Sequence, residues 1–261
     1  MSVQMVISPR RLARILSFAA LGLTLASVAG SLSAFYLSPG EGLLKEMQES
    51  FVRLFYLDAE ANVPTWYSAS ALLLCSALLA MIACAKRAQQ DPCVRHWTAM
   101  AVVFLCLSID EEAILHEMAI RPLRLALHTD GLLYYAWVVP GAAAVLLFAL
   151  AHLRFLWRLP PRTRVLFCVA GAVYVGGAIG VEALSGLRAA RYGEGDSVYV
   201  MIATVEELME MTGVVVFIYA LLDYMGRHLG EVTLRFSAVR PRAAAKRPPS
   251  PASAPAALAH N

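Results

Sequence analysis

Charge is what this chain has least of. Only 16% of its 261 residues are Asp, Glu, Lys or Arg, where ordinary soluble domains approach about a quarter. Hydrophobic residues make up 59%, and the mean hydropathy is +0.61. So apolar a chain does not read as an ordinary soluble domain. Paired cysteine is missing too. The five cysteines include no CxxC, and all but Cys93 lie in apolar runs, so neither a disulfide framework nor a zinc knuckle is supported. There is no evident internal repeat and no pair of Gly/Pro-broken apolar segments, which weighs against a repeat-built transporter. A net charge of +3 calls for no nucleic-acid partner.

What the chain does have is long apolar runs, several exceeding the roughly 20 residues that cross a bilayer as a helix. The expected fold is all-α: a polytopic membrane bundle of about six transmembrane helices within residues 1–225. Arg10, Arg11 and Arg14 precede the first run, Ile15 to Leu37. A signal peptide shares this design, and Ser27-Val28-Ala29 is a passable cleavage site, but the run is longer than a usual signal core and reads as an uncleaved first span. After Pro39-Gly40, the segment 41–57 places Leu43, Leu44, Met47, Phe51, Leu54 and Phe55 at three-four spacing among charged residues. That pattern is an amphipathic helix lying in the membrane interface. Further spans are expected to about Ala85, from His96 to about Met118, from about Leu132 to Leu156, from Val165 to Leu184, and from Val198 to Tyr224. The segment 226–261, basic and rich in Pro and Ala, cannot bury a core and is expected to be a disordered tail.

The loops sort by charge. Arg10, Arg11, Arg14, Lys86, Arg87, Arg95, Arg154, Arg158, Arg162, Arg164, Arg227 and the basic tail all fall on one side. Only Asp91, Asp223 and Glu231 among the 19 acidic residues join them. By the positive-inside rule that side is cytoplasmic, so both termini are inside. The expected location is a bacterial inner membrane, crossed several times.

Against this apolar background, Asp110-Glu111-Glu112-Ala113-Ile114-Leu115-His116-Glu117 stands at the outer end of span three. Read as one uninterrupted helix, it makes Glu112 and His116 i,i+4 neighbours and turns Glu111 toward headgroups or water. Glu117 is within reach of Arg121 or Arg124. Glu182 lies at the outer end of span five, and Glu206, Glu207 and Glu210 lie in the outer third of span six. Three helices distant in sequence thus put carboxylates at one depth, where ionisable groups are costly and normally face a protein interior or a water-filled cavity. Gly213 on span six and Gly176-xxx-Gly180 on span five would let those two helices approach closely. Asp58 and Glu60 can reach in from the first outer loop, where Asp58 is also placed to cap a turn.

The Asp-Glu-Glu-xxx-His-Glu helix, the Gly-xx-Glu helix, the Glu-Glu-xx-Glu-Met-xx-Gly helix and the Asn62-Val63-Pro64-Thr65-Trp66-Tyr67 entry to span two resemble an uncharacterised family of six-span bacterial membrane proteins. The resemblance covers about residues 12 to 225 and implies no activity. There is a fainter similarity to membrane metallohydrolases of the alkaline ceramidase type. Those hold zinc through several histidines, however, and only His116 is well placed here.

Crowded carboxylates in a low dielectric must share protons, pair with cations or bind metal. The expected ligand set is Glu112, His116, Glu182, Glu206 and Glu210 around a divalent ion (Mn, Fe, Mg, Ca or Zn), oxygen-rich donors suiting the harder metals. Three functions stay open. The first is a metal-dependent enzyme acting on a lipid-like or periplasmic substrate. The second is a proton- or cation-coupled transporter using the same carboxylates, and the third is a non-catalytic subunit whose buried charges fix a membrane-protein partner. Membrane lipid is a partner in each.

Overall fold

A computed structural model describes residues 8–37 and 41–229. The Pro39-Gly40 break and residues 230–261 of the expected tail 226–261 lie outside the described residues, while 226–228 are the end of a helix. The described chain is helical throughout: α1 (Pro9–Tyr36), α2 (Leu43–Phe55), α3 (Val63–Ala88), α4 (Val94–Ala113), α5 (Leu115–Leu127), α6 (Val138–Arg158), α7 (Pro161–Val175), α8 (Glu182–Tyr192) and α9 (Ser197–His228). A short 3₁₀ turn, Gly131–Leu133, precedes α6, and a π-turn, Gly176–Val181, joins α7 to α8 as one continuous helix.

Four helices are long and apolar enough to cross a membrane: Pro9–Tyr36, Val63–Ala88, Val138–Arg158 and Pro161–Tyr192. The helices expected as spans three and six form, but they are not among these four. Both carry acidic residues. Asp110, Glu111 and Glu112 close α4, while α9 holds Glu206, Glu207 and Glu210 in its first half and Asp223 further on.

The expected uninterrupted span three is corrected by a break. Ile114 adopts a left-handed backbone (φ 59°, ψ 33°) between α4 and α5. No glycine or proline marks the place. The break is held by a side chain: Asp110 Oδ1 accepts the His116 amide (2.9 Å), and Oδ2 lies 2.8 Å from His116 Nδ1. A carboxylate that takes over an amide left free at a helix start offsets the lost backbone bond. Residues 115–127 therefore form a separate amphipathic helix, with Leu115, Met118, Leu125 and Leu127 exposed.

The core divides the molecule into two unlike halves. Toward the turns carrying Lys86, Asp91 and Arg162, the interior is apolar: Leu72, Leu79, Ile82, Trp97, Ile218 and Leu221 are nearly or wholly buried in one cluster. Trp97 packs edge-on against Phe155 and tilted against Tyr224, each at 5.0 Å. The few polar side chains near this half bond to backbone or to one another. The Ser76 hydroxyl donates to Ala101 O (2.8 Å). Asp223 accepts from Arg162 (3.0 Å) and Arg227 (2.9 Å), fixing the start of α7 to the end of α9. Toward the opposite end the polar side chains accumulate. There Ser108 donates to Ala69 O (2.8 Å), and Ser27 Oγ accepts the Leu57 amide (3.0 Å).

Close approach between α7 and α9 depends on two glycines. A Cβ at Gly213 would stand 2.7 Å from the Tyr174 amide nitrogen. One at Gly177 would stand 3.0 Å from Glu206 O and 3.2 Å from Glu210 Cγ. Of the glycines expected to mediate this contact, Gly213 does so directly, Gly176 meets only the flexible end of Met209, and Gly180 faces open space. Gly213→Ala is expected to destabilise the protein by about 1–3 kcal/mol through overpacking, read as a lower unfolding temperature in mild detergent. Gly171→Ala, with open space at its Cβ, should show no such loss.

Candidate functional site

The polar end is assembled from four segments. The loop between α2 and α3 brings Asp58 and Glu60. Its position is set by Asn62, whose side chain caps α3 through the Thr65 amide (3.1 Å) and reaches back to Tyr56 O (2.7 Å). The α4–α5 break brings Glu111, His116 and Glu117, the π-turn and α8 bring Glu182 and Ser185, and α9 brings Glu206, Glu207 and Glu210.

Glu60, His116 and Glu117 meet, each offering one ligand atom within 4.8 Å of the others. Glu60 Oε2 is buried without a hydrogen-bond partner. The His116 ring is held on two sides, by Asp110 at Nδ1 and by Trp137, whose ring centroid is 4.8 Å away. Burial pushes the Glu60 carboxyl up to about 8, assisted by the charges of Glu111 and Glu117. Behind this trio lie Glu111, Glu207 and Glu210, electrostatic neighbours of one another and of Glu60.

Glu182 and Glu206 form an adjoining pair. Their carboxyl groups are electrostatic neighbours. Trp137 Nε1 donates to Glu182 Oε1 (2.9 Å), and the Ser185 hydroxyl donates to Glu206 Oε2 (3.1 Å). Glu210 sits one turn along α9, against Gly177 of the π-turn. A π-turn inserts a residue into the helical register and is frequent at functional sites. Here its glycine is what admits the carboxylate-bearing face of α9.

The expected residues are thus distributed unevenly. His116, Glu182, Glu206 and Glu210 all face the polar interior, whereas Glu112 is exposed. Glu111, expected outside, is the one turned toward Glu207 and Glu210. The buried stripe of α4, Trp97, Met100, Ala101 and Ser108, continues at three-residue spacing onto Glu111. The break at Ile114 then removes the i,i+4 relation that favoured Glu112.

A tyrosine network was not foreseen. Tyr135 OH donates to Glu194 Oε1 (2.9 Å) and lies 2.9 Å from Tyr199 OH, while Tyr199 and Tyr56 both donate to Asp58 Oδ2, at 3.0 and 3.2 Å. Burial pushes Asp58 up to about 7, although the two phenols pull the other way. Sequence offers a signal only for the Tyr134, Tyr135 and Trp137 cluster, which reads equally as an interfacial aromatic belt.

Fold and site together define a helical protein suited to a membrane, with four apolar helices and a carboxylate-rich interior at one end. Its family is shown over most of its length: the chain belongs to the family described as a domain of unknown function, DUF8692, matched over residues 10–225. No curated protein and no solved structure matches the chain.

Proposed function

We propose that this chain is a multi-pass protein of a bacterial inner membrane that holds a divalent cation at its acidic end, as the site of a metal-dependent enzyme acting on a lipid-like or periplasmic substrate. In this reading α4 and α9 also cross the bilayer, giving six spans. Both termini then lie in the cytoplasm, and the acidic end faces outward.

One observation carries it: Glu60, His116 and Glu117 converge, and Glu60 Oε2 is buried with nothing to bond to. A buried carboxylate oxygen without a partner is costly, and a cation offsets that cost. The donors fit. At bond lengths of roughly 2.0 to 2.6 Å, two oxygens on opposite sides of an ion stand roughly 4 to 5 Å apart, so ligand atoms all within 4.8 Å of one another are compatible with a single ion. Asp110 at Nδ1 fixes the imidazole and leaves Nε2 for the ion, as partners of metal-bound histidines commonly do. The ligand set therefore shifts from the five residues expected. Glu112 is not among the residues that converge, and Glu182 and Glu206 are engaged by Trp137 and Ser185. Glu111, Glu207 and Glu210 lie near the trio, where a carboxylate could serve as general base. A bound cation would supply Lewis acidity and an activated water.

The enzyme reading is favoured over transport by where buried charge sits: among the described residues the charged side chain that is buried is Glu206, at the acidic end.

Metal analysis of the full chain, purified in mild detergent without chelator, is expected to find about one Mn, Fe, Zn or Mg per chain, removable by chelator and restored by titration. Protein that neither retains nor rebinds any of these ions would sink the proposal.

A further inference from the structure

The turn end of the apolar half holds a pocket of about 280 Å³ between the end of α3, the α3–α4 turn, the end of α6 and the end of α9. Its polar lining is Lys86, Asp91, Arg158, Tyr224 and His228, and its floor includes Trp97 and Phe155. The charges do not balance. Asp91 is already engaged by Lys86 Nζ (3.2 Å) and the Cys93 amide (2.8 Å). Arg158 is exposed, and its side-chain contact in this pocket is the weak one from its guanidinium to Cys93 Sγ at 4.0 Å. Among the described residues no carboxylate is bonded to it. Basic groups in the last turn of a helix are partly explained by the helix dipole, but the dipole explains neither the cavity nor an aromatic floor beneath unpaired charge.

We propose that this pocket binds one phosphate group, that of an anionic phospholipid. A guanidinium presents donors in a fork that matches phosphate oxygens, and His228 and Lys86 add donors from the facing helices. The lipid source is argued from α6. Leu146, Leu150, Leu153 and Trp157 are exposed along one face of that helix and run away from Arg158, giving acyl chains an apolar track from the pocket. Basic pockets between helices at the cytoplasmic side are a known form of lipid-headgroup site. The inference rests on the membrane reading alone and is independent of the cation site.

Native mass spectrometry of the full chain in mild detergent tests it, with phosphatidylglycerol, phosphatidylcholine of the same acyl chains, and inorganic phosphate as probes. One phosphatidylglycerol should be retained in preference to phosphatidylcholine, and Arg158→Gln should weaken its retention by about tenfold or more, the size of a lost charge-assisted contact. Arg95→Gln, exposed and outside the pocket, should retain wild-type binding, and Arg158→Lys should keep part of it. If inorganic phosphate binds with the same Arg158 dependence while phosphatidylglycerol is not retained, the lipid source is overturned and the site takes a soluble phosphate. Equal retention of the two lipids, or an Arg158→Gln protein that binds phosphatidylglycerol like the wild type, would overturn the proposal.

Discussion

Glu60→Gln and His116→Ala should each abolish retention of a divalent cation, while Glu112→Gln leaves it at the wild-type level. Glutamine preserves the shape of Glu60 but loses the charge of an oxygen that is buried and unpartnered. Alanine at 116 removes the one imidazole of the trio. Asp110→Asn tests orientation separately from ligation. It keeps a hydrogen-bonding group at His116 Nδ1 but weakens its hold, and such partners typically cost about 10- to 100-fold in metal affinity. Isothermal titration with Mn²⁺ reads all four variants, and unfolding temperatures in the same detergent show whether each remains folded. Glu112 is the discriminating position. It does not converge with Glu60, His116 and Glu117, so a loss at Glu112 equal to that at Glu60 would place the cation elsewhere and refute the trio.

The second large effect is on pH. In the cation-free protein, Asp58 and Glu60 are pushed up to about 7 and about 8, in both cases chiefly by burial. A carboxyl whose pKa rises on folding binds its proton more tightly in the native state. Its contribution is complete below the unfolded pKa, about 4, and is lost as pH rises through the folded value. Unfolding temperature should therefore fall between about pH 4 and about pH 8 and level off above. Asp58→Asn, which removes the titrating proton, should flatten the part of the slope that ends near 7. Saturating cation should flatten the part due to Glu60, because a bound cation replaces the proton. A cation-free profile that rises with pH over this range would contradict the burial of both groups.

Helix positions are the part of this molecule most open to sequence reasoning. Apolar runs bounded by basic residues locate α1, α3, α6 and the α7–α8 helix, because burial in an apolar solvent is written into composition. The convergence of α4, α8 and α9 carboxylates at one end follows from connectivity once those runs are placed. What escapes is set by individual side chains. Ile114 is β-branched and an improbable residue for a left-handed turn. The break there exists because Asp110 satisfies the amide of His116, a choice that no window average registers. The exchange of Glu111 for Glu112 has the same origin, since helical phase is fixed by contacts such as Ser108 to Ala69. That Asp58 and Glu60 can reach in from their loop is legible in the sequence. The partners they meet, His116 and Glu117 for Glu60 and Tyr56 and Tyr199 for Asp58, are set by aromatic and loop positions that carry no period, so only the folded backbone brings them together.

The lopsided core has an electrical consequence. Carrying one elementary charge across a whole bilayer involves about 2.3 kcal/mol per 100 mV of membrane potential. With the proposed six spans, most of that drop would fall across the apolar half packed around Leu72, Ile82, Trp97 and Ile218, and little across the acidic end. A cation at the proposed site, reaching Glu60 and His116 from the acidic side, would then cross only a small fraction of the field. Its occupancy would follow the ion's concentration on that side, nearly indifferent to the membrane potential.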